Sequence, residues 1–346
     1  MLKVLITGCA GFIGSHLVNR FLSDGATVTG LDNLSRKGSV LNLQWLKSQF
    51  STGLSFHQID IRDFDTLGNL FKTEGPFDIV IHEAAQVAVT TSVSNPREDF
   101  EINALGTFNV LEATRLWSPE AFFEFASTNK VYGGMGDVKI VERCGRYEYE
   151  AVRDGISEQY SLDFHSPYGC SKGTADQYVR DYSRIYGLRT VVLRQSCIYG
   201  THQFGLEDQG WVAWFVIASI LGKPLTIYGD GKQIRDLLWI DDLVEACVGL
   251  YRHADAAAGQ VYNVGGGAEN TLSLLELVKI LKDERVLLSE PQYSDWRPGD
   301  QKVFVSNTSK ICSAVDWKPI VAPPDGVKML IEWTIKNKDA IGKLFE

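Results

Sequence analysis

The chain is 346 residues long, 45% hydrophobic and 22% charged, the make-up of an ordinary folded protein with room for one large core or two associated ones. Its formal net charge of -9 argues against a general binder of nucleic acid or anionic membrane, which needs a basic face, and no apolar run approaches the roughly 20 residues of a membrane span. The six cysteines include no C-x-x-C pair and suggest neither a disulfide framework nor a thiolate metal site; reduced, mostly buried thiols in a cytoplasmic protein are the expectation.

Residues 2–7 form a short apolar run, followed by Gly8-Cys9-Ala10-Gly11-Phe12-Ile13-Gly14 and an amphipathic stretch to residue 22. The pattern predicts a buried strand, a tight glycine turn and a helix. Glycine serves such a turn twice: it permits positive φ, and it leaves the N–H groups of the helix N-terminus open to a phosphate. A second strand over 26–31 leads to Asp32, eighteen residues past Gly14, where a carboxylate can hold a ribose 2′-hydroxyl and repel a 2′-phosphate. The unit is expected to bind NAD in preference to NADP, although Arg36 is the residue type that accommodates a 2′-phosphate.

The alternation continues with helical spacing over 40–50 and 64–72, strands over 54–59 and 77–82, a long helical stretch from Pro96 through residue 111, and strands over 122–126 and 189–193. This predicts an α/β fold, a Rossmann-type doubly wound parallel sheet, with ligands gathered at the carboxyl ends of its strands, where Gly8, Asp32, Asp60, Ala84 and Ser127 fall. His82-Glu83 could open a zinc-protease signature, but Gln86 stands where the second histidine is needed, so no metal site is read.

Past residue 196 the texture changes. A polar, glycine-containing stretch (199–210) precedes helices over 211–221 and 240–252, a turn at 228–231, a short strand over 261–264, a helix over 272–281, a loop at 296–300 and a last helix from about 326. The expected organisation is a cofactor domain over 1–195, onto which later segments pack back, and a smaller mixed C-terminal substrate lobe over 196–346.

Tyr168 and Lys172 are the expected catalytic pair. Ser166 and Pro167 suit an N-cap and first helical turn, which sets the two side chains at i and i+4 on one helix face, about 5–6 Å apart at Cβ. A tyrosine near its usual pKa of about 10 is a poor base, but a neighbouring ammonium and a cationic nicotinamide favour phenolate. Tyr228 and Lys232 share the spacing, yet enclose two glycines and belong to a turn. Ser127 and Thr128 follow a strand, so one of their hydroxyls can hydrogen-bond a substrate hydroxyl as it loses its proton.

Gly8-x-x-Gly11-x-x-Gly14, Asp32, Asp60-Ile61, His82-Glu83-Ala84-Ala85-Gln86, Ser127-Thr128-x-x-Val131-Tyr132-Gly133 and Tyr168-x-x-x-Lys172 together resemble, along essentially the whole chain, the extended short-chain dehydrogenase/reductase family of nucleotide-sugar epimerases and dehydratases. The resemblance implies that the glycine turn with Phe12 and Ile13, and Asp32 with Asn33, Ser35 and Arg36, hold NAD. It further implies that Asp60 and Ile61 border the adenine and that Ala84, Ala85 and Gln86 line the path to the nicotinamide ribose. Tyr168 would be the base, Lys172 its activator and a ribose ligand, Thr128 the substrate-orienting hydroxyl with Ser127 second, and Arg235 and Arg297 ligands of the substrate's diphosphate.

Longer strings at 32–38, 85–92, 127–132 and 207–215 resemble members that invert carbon 2 of a CDP-linked sugar. Dehydrating relatives carry an Asp-Glu pair after the threonine; Asn129 and Lys130 stand there instead, so dehydration is not implied. Gln195-Ser196-Cys197 replaces a stretch where many relatives place an asparagine, and Ser196 and Cys197 receive no role. The expected reaction is transient oxidation to a keto-sugar and return of the hydride to the opposite face by tightly held NAD. Alternatives are another CDP- or UDP-hexose, a net dehydrogenase or reductase, and a non-catalytic dinucleotide-sensing module. Helices over 96–115 and 168–186 are those through which relatives pair, which implies a homo-oligomer.

Overall fold

The structure is a computed structural model that describes residues 1–207, 209–297 and 300–345. Asp208 in the 207–215 string and Pro298 and Gly299 in the 296–300 loop lie outside the described residues.

Seven strands make one parallel sheet. The first half of the chain supplies β1 (Lys3–Thr7), β2 (Thr27–Asp32), β3 (Leu54–Gln58), β4 (Ile79–His82) and β5 (Phe122–Thr128). Between them run helices α1 (Phe12–Ser23), α2 (Ser39–Gln49), α3 (Phe64–Glu74), α4 (Val89–Ser94), α5 (Pro96–Phe100) and α6 (Thr107–Trp117). A hairpin of β6 (Ile140–Arg143) and β7 (Arg146–Tyr149) follows, then α7 (Ser166–Tyr186) and β8 (Arg189–Gln195). With β12 (Val261–Val264), which arrives from far downstream, the sheet order is β12-β8-β5-β4-β1-β2-β3. Chain direction across the sheet reverses between β1 and β4, and the crevice beyond those carboxyl ends is where such folds hold ligands.

Alternation along the strands sorts the core into two layers. Val4, Ile6, Ile79, Ile81 and Phe122 face α1 through Leu17, Val18 and Phe21. Leu5, Val80, Phe123 and Phe125 face α3, α6 and α7 through Leu70, Phe71, Val110, Leu111, Val179 and Tyr182. A sheet covered on both sides needs apolar residues at consecutive positions, which is why its strands read as unbroken apolar runs.

Downstream lie β9 (Cys197–Tyr199), α8 (Trp211–Leu221), β10 (Thr226–Tyr228), β11 (Ile234–Trp239), α9 (Ile240–Arg252), β12 (Val261–Val264), β13 (Thr271–Ser273), β14 (Gln292–Ser294) and β15 (Val303–Phe304), with helices at Ala254–Ala257, Leu274–Asp283, Ser309–Val315, Pro323–Lys336 and Lys338–Lys343. β12 does not stay with them: it pairs with β8 as the edge of the large sheet. The others build a small mixed sheet in which β11 pairs with β9, β13 and β15, and a separate pair, β10 with β14. Phe215, Leu237 and Ile331 of this region join the same apolar cluster as α1, so one core runs through both parts.

Three expectations need correction. The stretch from Pro96 is not one α-helix: residues Glu101–Gly106 form a π-helical segment between α5 and α6. The helix expected over 272–281 begins after β13, at Leu274, because Ser273 and Glu276 form a reciprocal capping box there. Only Cys9 and Cys247 are buried, whereas Cys144 and Cys170 are exposed. Among the described residues no helix is long and apolar enough to cross a membrane.

Candidate active site

A cavity of about 370 Å³ opens along the carboxyl ends of β1, β2, β4 and β5. Every cofactor residue expected from the sequence lines it: Gly8, Gly11, Phe12, Ile13 and Gly14 at one wall; Asp32, Asn33, Ser35, Arg36, Asp60 and Ile61 at one end; Ala84, Ala85, Gln86, Tyr168 and Lys172 toward the other. Gly8 takes φ +68, and a Cβ there would stand 2.8 Å from the Ala84 nitrogen. Gly14 lies so close to the Gly8 carbonyl that any side chain would clash. The helix behind this turn starts at Gly11 with no side-chain cap and no acid in its first turn, which leaves its N–H groups facing the cavity for an anion.

The Asp32 carboxylate accepts from the Ala10 N–H at 3.1 Å and the Leu34 N–H at 2.7 Å, and burial holds its pKa above the usual range. It is fixed at the end of β2 on the cavity wall, where a ribose ligand belongs. Asp60 is already engaged: Arg62 grips it with two side-chain bonds at 2.9 and 2.7 Å and Asn33 adds another at 3.1 Å, which draws it down to about 2. Arg36 hydrogen-bonds Gln209, and Asn42 reaches the His202 carbonyl at 3.2 Å, so the loop after β9 folds over the glycine-turn end of the cavity. A positive-φ glycine cradle, an open helix N-terminus and a buried carboxylate at one end of a single cavity fit a dinucleotide.

Tyr168 and Lys172 come off one face of α7, as the spacing predicts. The helix starts at Ser166 and not one residue later: His165 occupies the N-cap position, and Ser166, at φ +66, accepts the Gly169 N–H at 3.2 Å. Lys172 is buried and donates to the Ala126 carbonyl at 2.5 Å; burial lowers its pKa to about 8, against the pull of Glu83, Asp176 and Asp99. Tyr168 departs from expectation. Burial raises it to about 12, a side-chain hydrogen bond with Thr128 works the other way, and the Asp99 carboxylate adds to the rise. The ammonium of Lys172 is committed to the backbone of β5, and burial makes the Tyr168 phenol a weaker acid than a free tyrosine.

The two strand-end hydroxyls part company. Ser127 donates to Asp176 at 2.8 Å, and Asp176 is locked into a fully buried ion pair with Arg194 at 2.9 and 3.1 Å. Thr128 is the one beside Tyr168; its oxygen also accepts the Lys130 N–H at 3.2 Å. Arg235 and Arg297 line neither this cavity nor a second one of about 340 Å³ next to it. Arg235 pairs with Asp300 at 2.7 Å, and Arg297 lies over the Tyr228 ring at 3.8 Å while donating to the Glu207 carbonyl at 3.0 Å.

Several residues that sequence reasoning passed over hold this arrangement. His82, weighed as a metal ligand, is buried and kept neutral, its pKa lowered to about 3, while its ring bridges Thr7 at 2.6 Å and Thr107 at 2.9 Å; Thr7 in turn accepts the Ala84 N–H at 3.2 Å. Asp99 accepts from Ser171 at 2.5 Å, Gln86 at 2.7 Å and Asn103 at 3.1 Å, which ties the Gln86 loop to α7. Asn103 sits inside the π-helical segment, a common location for functional side chains. Glu83 lines the cofactor cavity beside Lys172, with Glu124 behind it; burial raises Glu83 to about 8 and Glu124 to about 7, and Glu124 hydrogen-bonds Cys247. Most of these side chains act through a partner distant in the sequence, as Asn103 does on Gln86, 17 positions away, so little in the local sequence marks them.

The NAD dependent epimerase/dehydratase family profile matches residues 4–265. The chain is 44% identical to the CDP-paratose 2-epimerase of Salmonella typhi over 338 residues, 96% of this chain and 99% of that protein. Among solved structures, the UDP-glucose 4-epimerase of Thermotoga maritima with UDP-glucose superposes with a TM-score of 0.82 at 30% identity, covering 97% of this chain and 100% of the other. The dTDP-glucose 4,6-dehydratase of Bacillus anthracis in complex with NAD gives 0.82 at 25% identity, covering 99% and 100%.

Proposed function

The chain belongs to the NAD dependent epimerase/dehydratase family, and from that premise we propose that it inverts carbon 2 of a CDP-linked sugar, interconverting CDP-paratose and CDP-tyvelose. The observation that carries this reading is Thr128 hydrogen-bonded to Tyr168 at the edge of the cofactor cavity, followed by Asn129 and Lys130, a pair that cannot serve as the acid and base of a dehydration. The extent of likeness to the Salmonella typhi enzyme supports the choice of sugar and nucleotide.

Bound NAD supplies the oxidation of the sugar carbon and its re-reduction. Tyr168 takes the proton of the sugar hydroxyl and later gives it back. Because burial holds that phenol high, it works as a base only with added positive charge beside it. Thr128 orients the hydroxyl. Ser127, which lines the same cavity, donates to Asp176 and stiffens the end of β5. Lys172 fixes the ribose side of the cavity and keeps a positive charge near Tyr168. Arg235 and Arg297 hold the diphosphate while the keto-sugar turns over, since a guanidinium fork matches phosphate oxygens. Residues 1–195 with β12 form the cofactor domain and the rest of 196–346 the substrate lobe. Two exposed thiols suit a reducing compartment, the cytoplasm. A row of exposed apolar side chains on α4 to α7, treated below, supports a homo-oligomer.

Incubating the purified protein with CDP-paratose, without added NAD, should yield a mixture with CDP-tyvelose, read from the anomeric proton by NMR. Deuterium placed at carbon 2 should stay with the sugar. Washout of that label into solvent, or conversion of a UDP-sugar in preference, would overturn the reading.

A further inference from the structure

Lys130 stands two residues after Thr128, in a single 3-10 turn over Asn129–Tyr132. Its carbonyl packs on Gly169, where a Cβ would come within 3.3 Å, so its backbone abuts the helical turn that carries Tyr168. The side chain enters the second cavity, whose wall also includes His165, Ser166 and Gln301. Among the described residues its ammonium makes one hydrogen bond, a long one of 3.4 Å to Gln301 Oε1.

The charges around it do not balance. Arg235 on β11 repels Lys130, and the carboxylate that attracts both, Asp300, gives the same oxygen to Arg235 at 2.7 Å and to the Gln301 N–H at 3.0 Å. Asp163 and His165 face the cavity from the loop before α7, Tyr149 from β7 and Lys302 from the start of β15. Burial, with Arg235 pushing the same way, lowers Lys130 to about 8. Two neighbouring cations that share one carboxylate, one of them, Lys130, on the cavity wall, lack a negative charge.

We infer that Lys130 is a specificity-determining residue: its ammonium takes the sugar-proximal phosphate of the substrate, and by holding that phosphate beside the Tyr168 turn it brings carbon 2 to the base. In a nucleotide-sugar the phosphate hangs from carbon 1. Carbon 2 is its neighbour, whereas carbon 4 lies across the ring. A cation close to the reacting hydroxyl therefore suits reaction next to the phosphate, and a site for carbon 4 has no use for it. This rests on the nucleotide-sugar reading above and extends it to the choice of carbon.

The test is calorimetric binding of CDP, with cytidine as the probe that lacks phosphates, to the wild type, Lys130→Met and Lys130→Arg at about pH 7 and about pH 9. An anion binds the protonated ammonium, so wild-type affinity for CDP should fall about tenfold between those pH values as a group near 8 loses its proton. Lys130→Met should bind CDP about 10- to 100-fold more weakly at pH 7 and lose the pH dependence, Lys130→Arg should keep its affinity at pH 9, and cytidine should bind all three alike. Saturating CDP-paratose should turn over at least about tenfold more slowly on Lys130→Met, because the reacting carbon loses its register. Wild-type CDP affinity in Lys130→Met, or a flat wild-type pH profile, overturns the phosphate assignment; an unchanged kcat overturns the choice of carbon. Failure of the wild type to epimerise CDP-paratose would count against the proposed function and leave the CDP measurements intact.

Discussion

Tyr168 holds its proton more tightly than a free tyrosine because it is 8% exposed and shares its surroundings with the Asp99 carboxylate. Removing its oxygen leaves the cavity walls in place, so Tyr168→Phe should lower kcat by about 10²- to 10⁴-fold while the purified protein keeps its NAD and its melting temperature. An active Tyr168→Phe would move the base elsewhere. The pairing of Tyr168 with Lys172 on one helix face and the tight glycine turn were legible because each is a motif compressed into a few residues, where helix and turn geometry fix the relation, and Asp32 because it closes the next strand. The engagement of Ser127 was not, because its hydroxyl bonds Asp176, 49 positions downstream, which is itself held by Arg194. The same distance hid the fate of Lys172, whose ammonium bonds a strand carbonyl and leaves Tyr168 to the influence of burial.

At the scale of elements, β5 carries Glu124 into the interior beside Glu83 at the end of β4, a cost the fold bears by keeping protons on them. In the unfolded chain these carboxyls titrate near 4.5; in the folded one they are raised to about 7 and about 8. The folded state therefore binds more protons than the unfolded across that window, and stability falls as pH rises through it. The melting temperature of the wild type should drop between about pH 5 and about pH 8, and Glu124→Gln should drop less; parallel curves in a thermal scan would show that the pair does not titrate there. Such a carboxyl reads in the sequence as an interruption of an apolar run and nothing more. The strands of the small sheet were missed for another reason: β9 and β13 span three residues each and β15 two, so their existence depends on β11 lying between them and not on any local pattern. The π-helical segment was likewise invisible, since no local pattern in the sequence marks where a single i to i+5 turn interrupts an α-helix.

For the whole molecule, Val93, Phe100, Leu105, Tyr178, Ile185 and Tyr186 are between 42% and 65% exposed on α4, α5, the π-helical segment and α7. An apolar row of this extent on one side of the cofactor domain suits contact with a second copy. The wild type should sediment as a dimer or larger, and Phe100→Glu with Ile185→Glu should sediment as a monomer that still carries NAD; a monomeric wild type would remove the proposal. The parallel sheet was legible up to β8 from the alternation of strands and helices, whereas the order of its strands was not. Val261–Val264 was recognisable as a strand but its sheet was not: nothing short of the assembled β8 edge and the Tyr132 hydroxyl bonding Asn263 at 2.7 Å says where four residues belong.

That late strand sets the timetable of synthesis. A nascent chain that has reached Gln195 has the glycine turn, Asp32, Tyr168 and Lys172 of the dinucleotide crevice, yet β8 still lies bare along one side until Val264 has left the ribosome and been added beside it. During that interval the half-made product displays a row of unsatisfied peptide groups to every other half-made copy on the same message, and cutting the gene at the boundary between the two lobes would make the interval permanent.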